Sequence, residues 1–216
     1  MKARLPTHWL RAHVLPFGFF LCLATALCGA IFWGSGDRVL GNAEHPGIQG
    51  EMFHQRDFVD NILAGRWLQP SYSNRIAYPH GEDLRSYCGI SLHLYGYLPL
   101  IPLGSFEAAH GAFLIITLAL NGFCAYLLGR YLSRSLLGAL LCGCLFLLSP
   151  YALLKLDMGF LQKTILWWIP LFVLSLFRYL DRPNRRDALK AGLFWALMLL
   201  TYAQYAWYSA WVGVIL

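Results

Sequence analysis

Twenty consecutive residues, VLPFGFFLCLATALCGAIFW from Val14 to Trp33, contain no Asp, Glu, Lys, Arg or His. As an α-helix rising 1.5 Å per residue, such a run matches the roughly 30 Å hydrocarbon core of a bilayer. A cleaved signal peptide has a shorter apolar core of about 7 to 15 residues and a small-x-small exit. Leu27, directly before Cys28, does not suit a lipoprotein site. Lys2, Arg4 and Arg11 precede the run, so residues 1–13 read as a cytoplasmic N-terminus and 14–33 as a retained first transmembrane helix.

The rest of the chain agrees with this reading. Of its 216 residues, 58% are hydrophobic and 13% charged, against about 25% charged in soluble domains. The formal charge of +6 would suggest nucleic acid in a soluble protein. In a membrane protein it reflects Lys and Arg held in cytoplasmic loops, and no nucleic-acid motif accompanies it. The fold class expected is therefore all-α integral membrane: a multi-span helical bundle with a long outer first loop bearing surface helices.

Charge places the remaining spans. Residues 108–216 divide into further transmembrane helices at about 108–128, 136–149, 161–180 and 188–203, with the start of another running to 216, where the chain reads as truncated. Arg130 and Arg134 follow the second span, and the loop RYLDRPNRRDALK joins the fourth and fifth. Ten of the 17 Lys and Arg fall on the assigned inside, and five of the other seven lie in the long loop, where the positive-inside rule is weak. Localisation in a bacterial inner membrane is the expectation. The fourteen residues Ile90–Leu103 are too short to cross and contain Pro99 and Pro102, so they read as a helix on the outer surface or dipping back from it.

Five of the six cysteines lie inside apolar segments and only Cys88 lies in the long loop. A disulfide within the loop is thereby excluded, and no Cys/His spacing matches a zinc site. The chemistry concentrates in the loop, residues 34–107, which holds Asp37, Glu44, Glu51, Asp57, Asp60, Glu82 and Asp83 among the chain's eleven carboxylates. Gly50 to Leu63 has helical potential, with Met52, Val59, Ile62 and Leu63 on one side and His54, Asp57 and Asn61 opposite. The expectation is a short helix lying at the membrane surface with that polar side in water, ended by Gly65, and an Arg56–Asp60 pair at i, i+4 spacing. Tyr78-Pro79-His80-Gly81 reads as a turn.

The stretch GEMFHQRDFVDNILAGRWLQP resembles the first outer loop of the aminoarabinose transferase and protein O-mannosyltransferase relatives within the glycosyltransferase C superfamily. In that family an Asp-Glu pair precedes a helix and a Gly-x-Trp-x-x-Pro exit. Alignment on Gly65, Trp67 and Pro70 puts Gly50-Glu51 at the acidic pair, keeping the second acid and losing the first. The turn Tyr78-Pro79-His80-Gly81-x-x-Leu84 and the segment SPYALLKLDMGFLQ are similar to uncharacterised bacterial members of the superfamily, many of which carry His where Phe160 stands here. The resemblance implies a transferase that moves a sugar from a polyprenyl-phosphate-linked donor to an acceptor on the outer face of the inner membrane. It makes Glu51 the candidate general base, within reach of an acceptor proton, although a carboxylate at a helix start also complements the dipole. Asp57 is the runner-up. Arg75 and Arg85 are candidates for the donor phosphate, since guanidinium matches phosphate oxygens, and Glu82 with Asp83 for a divalent cation. No metal ligand set is assigned. The partners expected are membrane lipid and the polyprenyl-linked sugar, with no nucleic acid. Two alternatives stand beside the enzyme: a non-catalytic membrane protein of the same architecture, and a transporter, which more often carries ionisable groups or broken helices near the bilayer centre.

Overall fold

The computed structural model describes residues 13–32, 46–66, 72–73, 75, 79–83, 92–103, 105–158 and 160–215. Its helices are α1 (Leu15–Phe32), α2 (Pro46–Leu63), α3 (Phe106–Ser133), α4 (Leu136–Leu147), α5 (Pro150–Asp157), α6 (Leu161–Thr164), α7 (Trp168–Asp181), α8 (Arg185–Thr201) and α9 (Ala203–Ile215). Between α2 and α3 come a two-stranded antiparallel ribbon, β1 (Tyr72–Ser73) with β2 (Glu82–Asp83), and a 3₁₀ helix, Leu92–Leu103. Three helical stretches are long and apolar enough to cross a membrane, Phe106–Ser133, Leu136–Asp157 and Leu161–Asp181, and α1 has a shorter apolar stretch, Leu15–Gly29.

The boundaries follow local chemistry. Ser105 caps α3 by accepting from the Ala108 amide at 3.1 Å, with Glu107 in the first turn, where a carboxylate favours the positive helix end. Arg134 closes α3 in the left-handed conformation at φ 55°. Ser135 caps α4, and Ser149 caps α5 with Pro150 in its first turn, a position where the missing N–H costs nothing. The expected span 136–149 is thus α4, which ends just before the Ser149 cap of α5, and the expected start at 188 moves back to Arg185 because Asn184 accepts from the Asp187 amide at 2.9 Å.

α1, α3 and α4 pack around Phe20, which is fully buried. A Cβ added to Gly143 would stand 2.3 Å from the Phe20 ring and 2.6 Å from the Gly122 carbonyl oxygen, so the helices approach only because both residues are glycine. α4 carries two stripes. Ala139, Gly143 and Leu147 are buried, while Leu137, Leu141 and Leu145 are exposed, and neither stripe is polar.

The expected span 161–180 is broken after Thr164 and resumes at Trp168. The freed backbone groups meet Asn121 of α3, whose Nδ2 donates to the Thr164 carbonyl at 2.7 Å and whose Oδ1 accepts from the Leu166 amide at 2.9 Å. After α8 the helix breaks at Tyr202 and α9 packs against it. Trp195 Nε1 donates to the Ala206 carbonyl at 2.9 Å, and Ser209 lies 3.3 Å from Met198 Sδ.

One expectation about the connection between α1 and α3 is corrected. α2 is buried on both sides: His54, Asp57 and Asn61, assigned to water, are 5%, 5% and 3% exposed, and Val59 and Ile62 of the apolar side are 7% and 4% exposed, with Leu63 exposed at the end. The 3₁₀ helix packs against it, burying His93, Leu94 and Tyr97. Polar partners on the ribbon and the 3₁₀ helix pull the polar side of α2 inward. Tyr97 is the pin. Its hydroxyl donates to Gln55 Oε1 at 2.7 Å and lies 2.7 Å from His110 Nδ1 of α3. Gly96 makes room beside it, since a Cβ there would stand 2.5 Å from the Phe113 ring.

Candidate functional site

The polar side of α2, the ribbon and the start of the 3₁₀ helix enclose a seam of ionisable side chains. Asp57 lies three residues after His54, one helical turn, and so does Asp60 after Asp57. Asn61 reaches the ribbon and donates to the Tyr72 carbonyl at 2.5 Å. The ribbon pairs Tyr72 with Asp83 and Ser73 with Glu82. Its turn is held by Gly81 at φ 71° and by the Tyr72 hydroxyl donating to the His80 carbonyl, so Pro79-His80-Gly81 behave as the turn expected; Tyr78 lies outside the described residues. Ser73 Oγ accepts from the Arg75 amide at 3.2 Å, which starts the chain back toward α2.

Arg75 then spans two carboxylates. Nη1 stands 3.1 Å from Asp57 Oδ1, and Nη2 donates to Asp60 Oδ2 at 3.2 Å. The Asp57 side chain is 7% exposed and the Asp60 side chain 44%, so only Asp57 depends on the pair for most of its solvation. Its second oxygen, Oδ2, is buried without a hydrogen-bond partner among the described residues. The expected Arg56–Asp60 pair does not form. Arg56 reaches Glu107 at 3.8 Å instead, because the ribbon brings a better-placed guanidinium to Asp60.

Two histidines close the seam. Burial lowers the pKa of His54, and the charges of Asp57 and Asp83 partly oppose that shift. Burial, and secondarily the neighbouring His54, pushes His93 down to about 3. Both are therefore neutral imidazoles at neutral pH, and His54 Nε2 and His93 Nδ1 have no hydrogen-bond partner among the described residues. A buried carboxylate oxygen and two buried imidazole nitrogens thus stand unpaired in one small region. Unpaired buried polar groups each cost about 1–3 kcal/mol.

Of the residues chosen from sequence, the structure joins Asp57 and Arg75 directly. Glu51 lies on α2 and its side chain is outside the described residues, as is Arg85 altogether. Both Arg75 terminal nitrogens face carboxylates in this arrangement, so its charge is directed at Asp57 and Asp60. Glu82 and Asp83 are consecutive strand residues and so point to opposite faces of the ribbon. No group of three or more His, Cys, Asp and Glu residues among those described is placed to hold a metal ion. The sequence reading left the histidines without a role. Their signal was present: His54 lies one turn before Asp57, and His93 sits beside Leu94 at the start of an apolar, Pro-containing segment. A cleft of about 370 Å³ opens beside Arg56, Asp60, Ser105 and Glu107. No family model, curated protein or solved structure matches the chain.

Proposed function

We propose that the protein is a membrane-integral glycosyltransferase, moving a sugar from a polyprenyl-phosphate-linked donor to an acceptor on the outer face of a bacterial inner membrane. The observation that supports this reading is Asp57: a buried carboxylate with one oxygen held by Arg75 and the other unpaired, on the polar connection that precedes the three long apolar stretches. The exposed Leu137, Leu141 and Leu145 stripe on α4 supports the membrane part of the reading, since a helix with no polar face finds its solvent in lipid.

In this mechanism the carboxylate accepts the acceptor's hydroxyl or amine proton as the acceptor oxygen or nitrogen bonds to the sugar's anomeric carbon. The bond from that carbon to the donor phosphate breaks, and its electron pair leaves on the phosphate. Arg75 holds Asp57 in place through one oxygen, while Arg85 is the remaining candidate for the phosphate. Glu51 stays the base that the family resemblance supplies, and Asp57 is the alternative because its Oδ2 is buried without a partner among the described residues. The transporter alternative finds less support: the interruption after Thr164 has two of its freed groups met by Asn121 and the one at Ser149 is capped by that side chain, whereas transporter sites use such groups for cargo.

The non-catalytic alternative draws on a specific observation too. Asp57, Arg75 and Asp60 form a tie between α2 and the ribbon that needs no substrate. Transfer assayed in membranes supplied with a polyprenyl-linked sugar pool separates the readings. Asp57→Asn should lower turnover about 10²- to 10⁴-fold if Asp57 is the base, with Asp60→Asn changing it far less. A fall with Glu51→Gln and none with Asp57→Asn would move the base to Glu51. No transfer by the unmutated protein would favour the structural tie, and Arg75→Met should then still loosen the ribbon by about 1–2 kcal/mol, discounted for its half-exposed guanidinium.

A further inference from the structure

At the far end of α3 from the histidine seam, the ends of α3 and α7 and the start of α8 surround a cleft of about 650 Å³. Arg130, Arg134, Arg178 and Arg182 line it, together with Asp181 and Asp187. The carboxylates have local work. Asp181 accepts from the Tyr131 hydroxyl, and Asp187 accepts from Asn184 Nδ2 at 2.7 Å. None of the four arginines forms an ion pair among the described residues. Arg130 Nη1 donates to the Arg134 carbonyl at 3.2 Å, and the Arg178 guanidinium lies 5.5 Å from the centre of the Tyr131 ring. The first twelve residues of the chain contain no Asp or Glu, so they bring no carboxylate to neutralise the cleft.

We propose that this cleft is a binding site for a phosphate anion carried by the headgroup of an anionic membrane lipid. Four guanidiniums around one cavity exceed what solubility needs, and their planar forks match phosphate oxygens in a way a lysine ammonium does not. The N-terminus of α8, capped by Asn184, adds its positive dipole end at the rim. The volume lies in the range of small-molecule sites. Leu132 and Phe177 share the wall with the arginines, and the exposed Leu136, Leu137 and Leu180 flank the same helix ends. An acyl chain leaving the cleft therefore meets apolar side chains, which a free anion would not need. Basic pockets between helices at the positively charged membrane boundary are suited to such headgroups. The site rests on the membrane reading of the fold and is independent of the transferase chemistry at Asp57.

The test is native mass spectrometry of the 216-residue chain in detergent with added phosphatidylglycerol, phosphatidylcholine or inorganic phosphate, alongside its apparent Tm in each. Phosphatidylglycerol should be retained and raise the Tm, with phosphatidylcholine and inorganic phosphate doing neither. The double variant Arg134→Gln with Arg182→Gln should lower phosphatidylglycerol retention about ten-fold. Arg185→Gln with Arg186→Gln removes the same charge from the same end but outside the cleft, and should lower it about two-fold at most. Equal losses in the two double variants would mean diffuse charge and overturn the site. So would equal retention of the two lipids by the unmutated protein, a measurement that needs no variant to fold. Stabilisation by inorganic phosphate equal to that by phosphatidylglycerol would overturn the lipid assignment. A chain that stays soluble without detergent and fails to enter bilayers would remove the membrane reading itself, and the site with it.

Discussion

Asn121 replaces, for Thr164, the backbone partner that a continuous helix would have provided. In an unbroken helix the Thr164 carbonyl would receive the Trp168 amide; here it receives the Asn121 side-chain amide at 2.7 Å, while the same side chain accepts from Leu166 at 2.9 Å. A fully buried residue of α3 thus reaches across to the break between α6 and α7 and supplies partners for two of its backbone groups.

Asn121→Leu is nearly isosteric and removes both bonds. It should lower the apparent stability of the α3–α7 unit by about 1–3 kcal/mol, because two buried backbone groups lose their partners. Asn121→Asp keeps the acceptor and loses the donor, so it should be milder only if protonated. Thermal unfolding in detergent, followed by fluorescence of the adjacent Trp167 and Trp168, reads the difference. An unchanged midpoint in Asn121→Leu would show that the break is held by packing alone.

Gly143→Ala tests the close approach of α1, α3 and α4. The added methyl would lie 2.3 Å from the Phe20 ring and 2.6 Å from the backbone oxygen of Gly122. A buried ring can tilt but a helix carbonyl cannot retreat alone, so the cost should be about 1–3 kcal/mol. Gly192→Ala, where nothing lies within 4 Å, should be neutral or slightly stabilising through helix propensity. Equal effects would remove the packing argument.

The histidine seam sets a pH dependence. His54 and His93 have folded pKa values below the ordinary 6.5, with His93 at about 3, so the unfolded chain binds more protons between those values and 6.5. The contribution of His93 is complete above about pH 6.5 and is lost as pH falls toward 3, at up to about 1.4 kcal/mol per pH unit; His54 acts in the same direction. Asp57 and Asp83 face His54 and moderate its share. The protection factors of residues 52–63, exchange corrected for its own base catalysis, should therefore fall between pH 7.5 and 5, and His93→Phe should flatten that response. Protection factors that rise in acid would mean that the imidazoles are charged and paired in the folded protein.

Helix content and the long apolar stretches were legible in the sequence because both are local. A run without charges needs no distant partner to form a helix, as α1 and the three long stretches show, whereas the start of α8, expected at 188, was moved to Arg185 by the Asn184 cap. The turn at Gly81 was legible for the same reason. That both sides of α2 are buried was not. Its mixed pattern set the apolar residues toward the membrane and the polar ones in water, and that rule assumes that no polar partner folds against the helix. The ribbon and the 3₁₀ helix supply such partners from residues 15 to 42 positions away, in Arg75 for Asp60 and Tyr97 for Gln55. Only the folded chain brings them within hydrogen-bond reach. Pairwise spacing on one helix suggested Arg56 for Asp60, whereas tertiary structure gave Asp60 to Arg75 and Arg56 to Glu107. Periodicity records how far apart side chains lie along one helix, but a charge settles on the best-placed opposite charge in three dimensions, and that placement is a property of the whole fold.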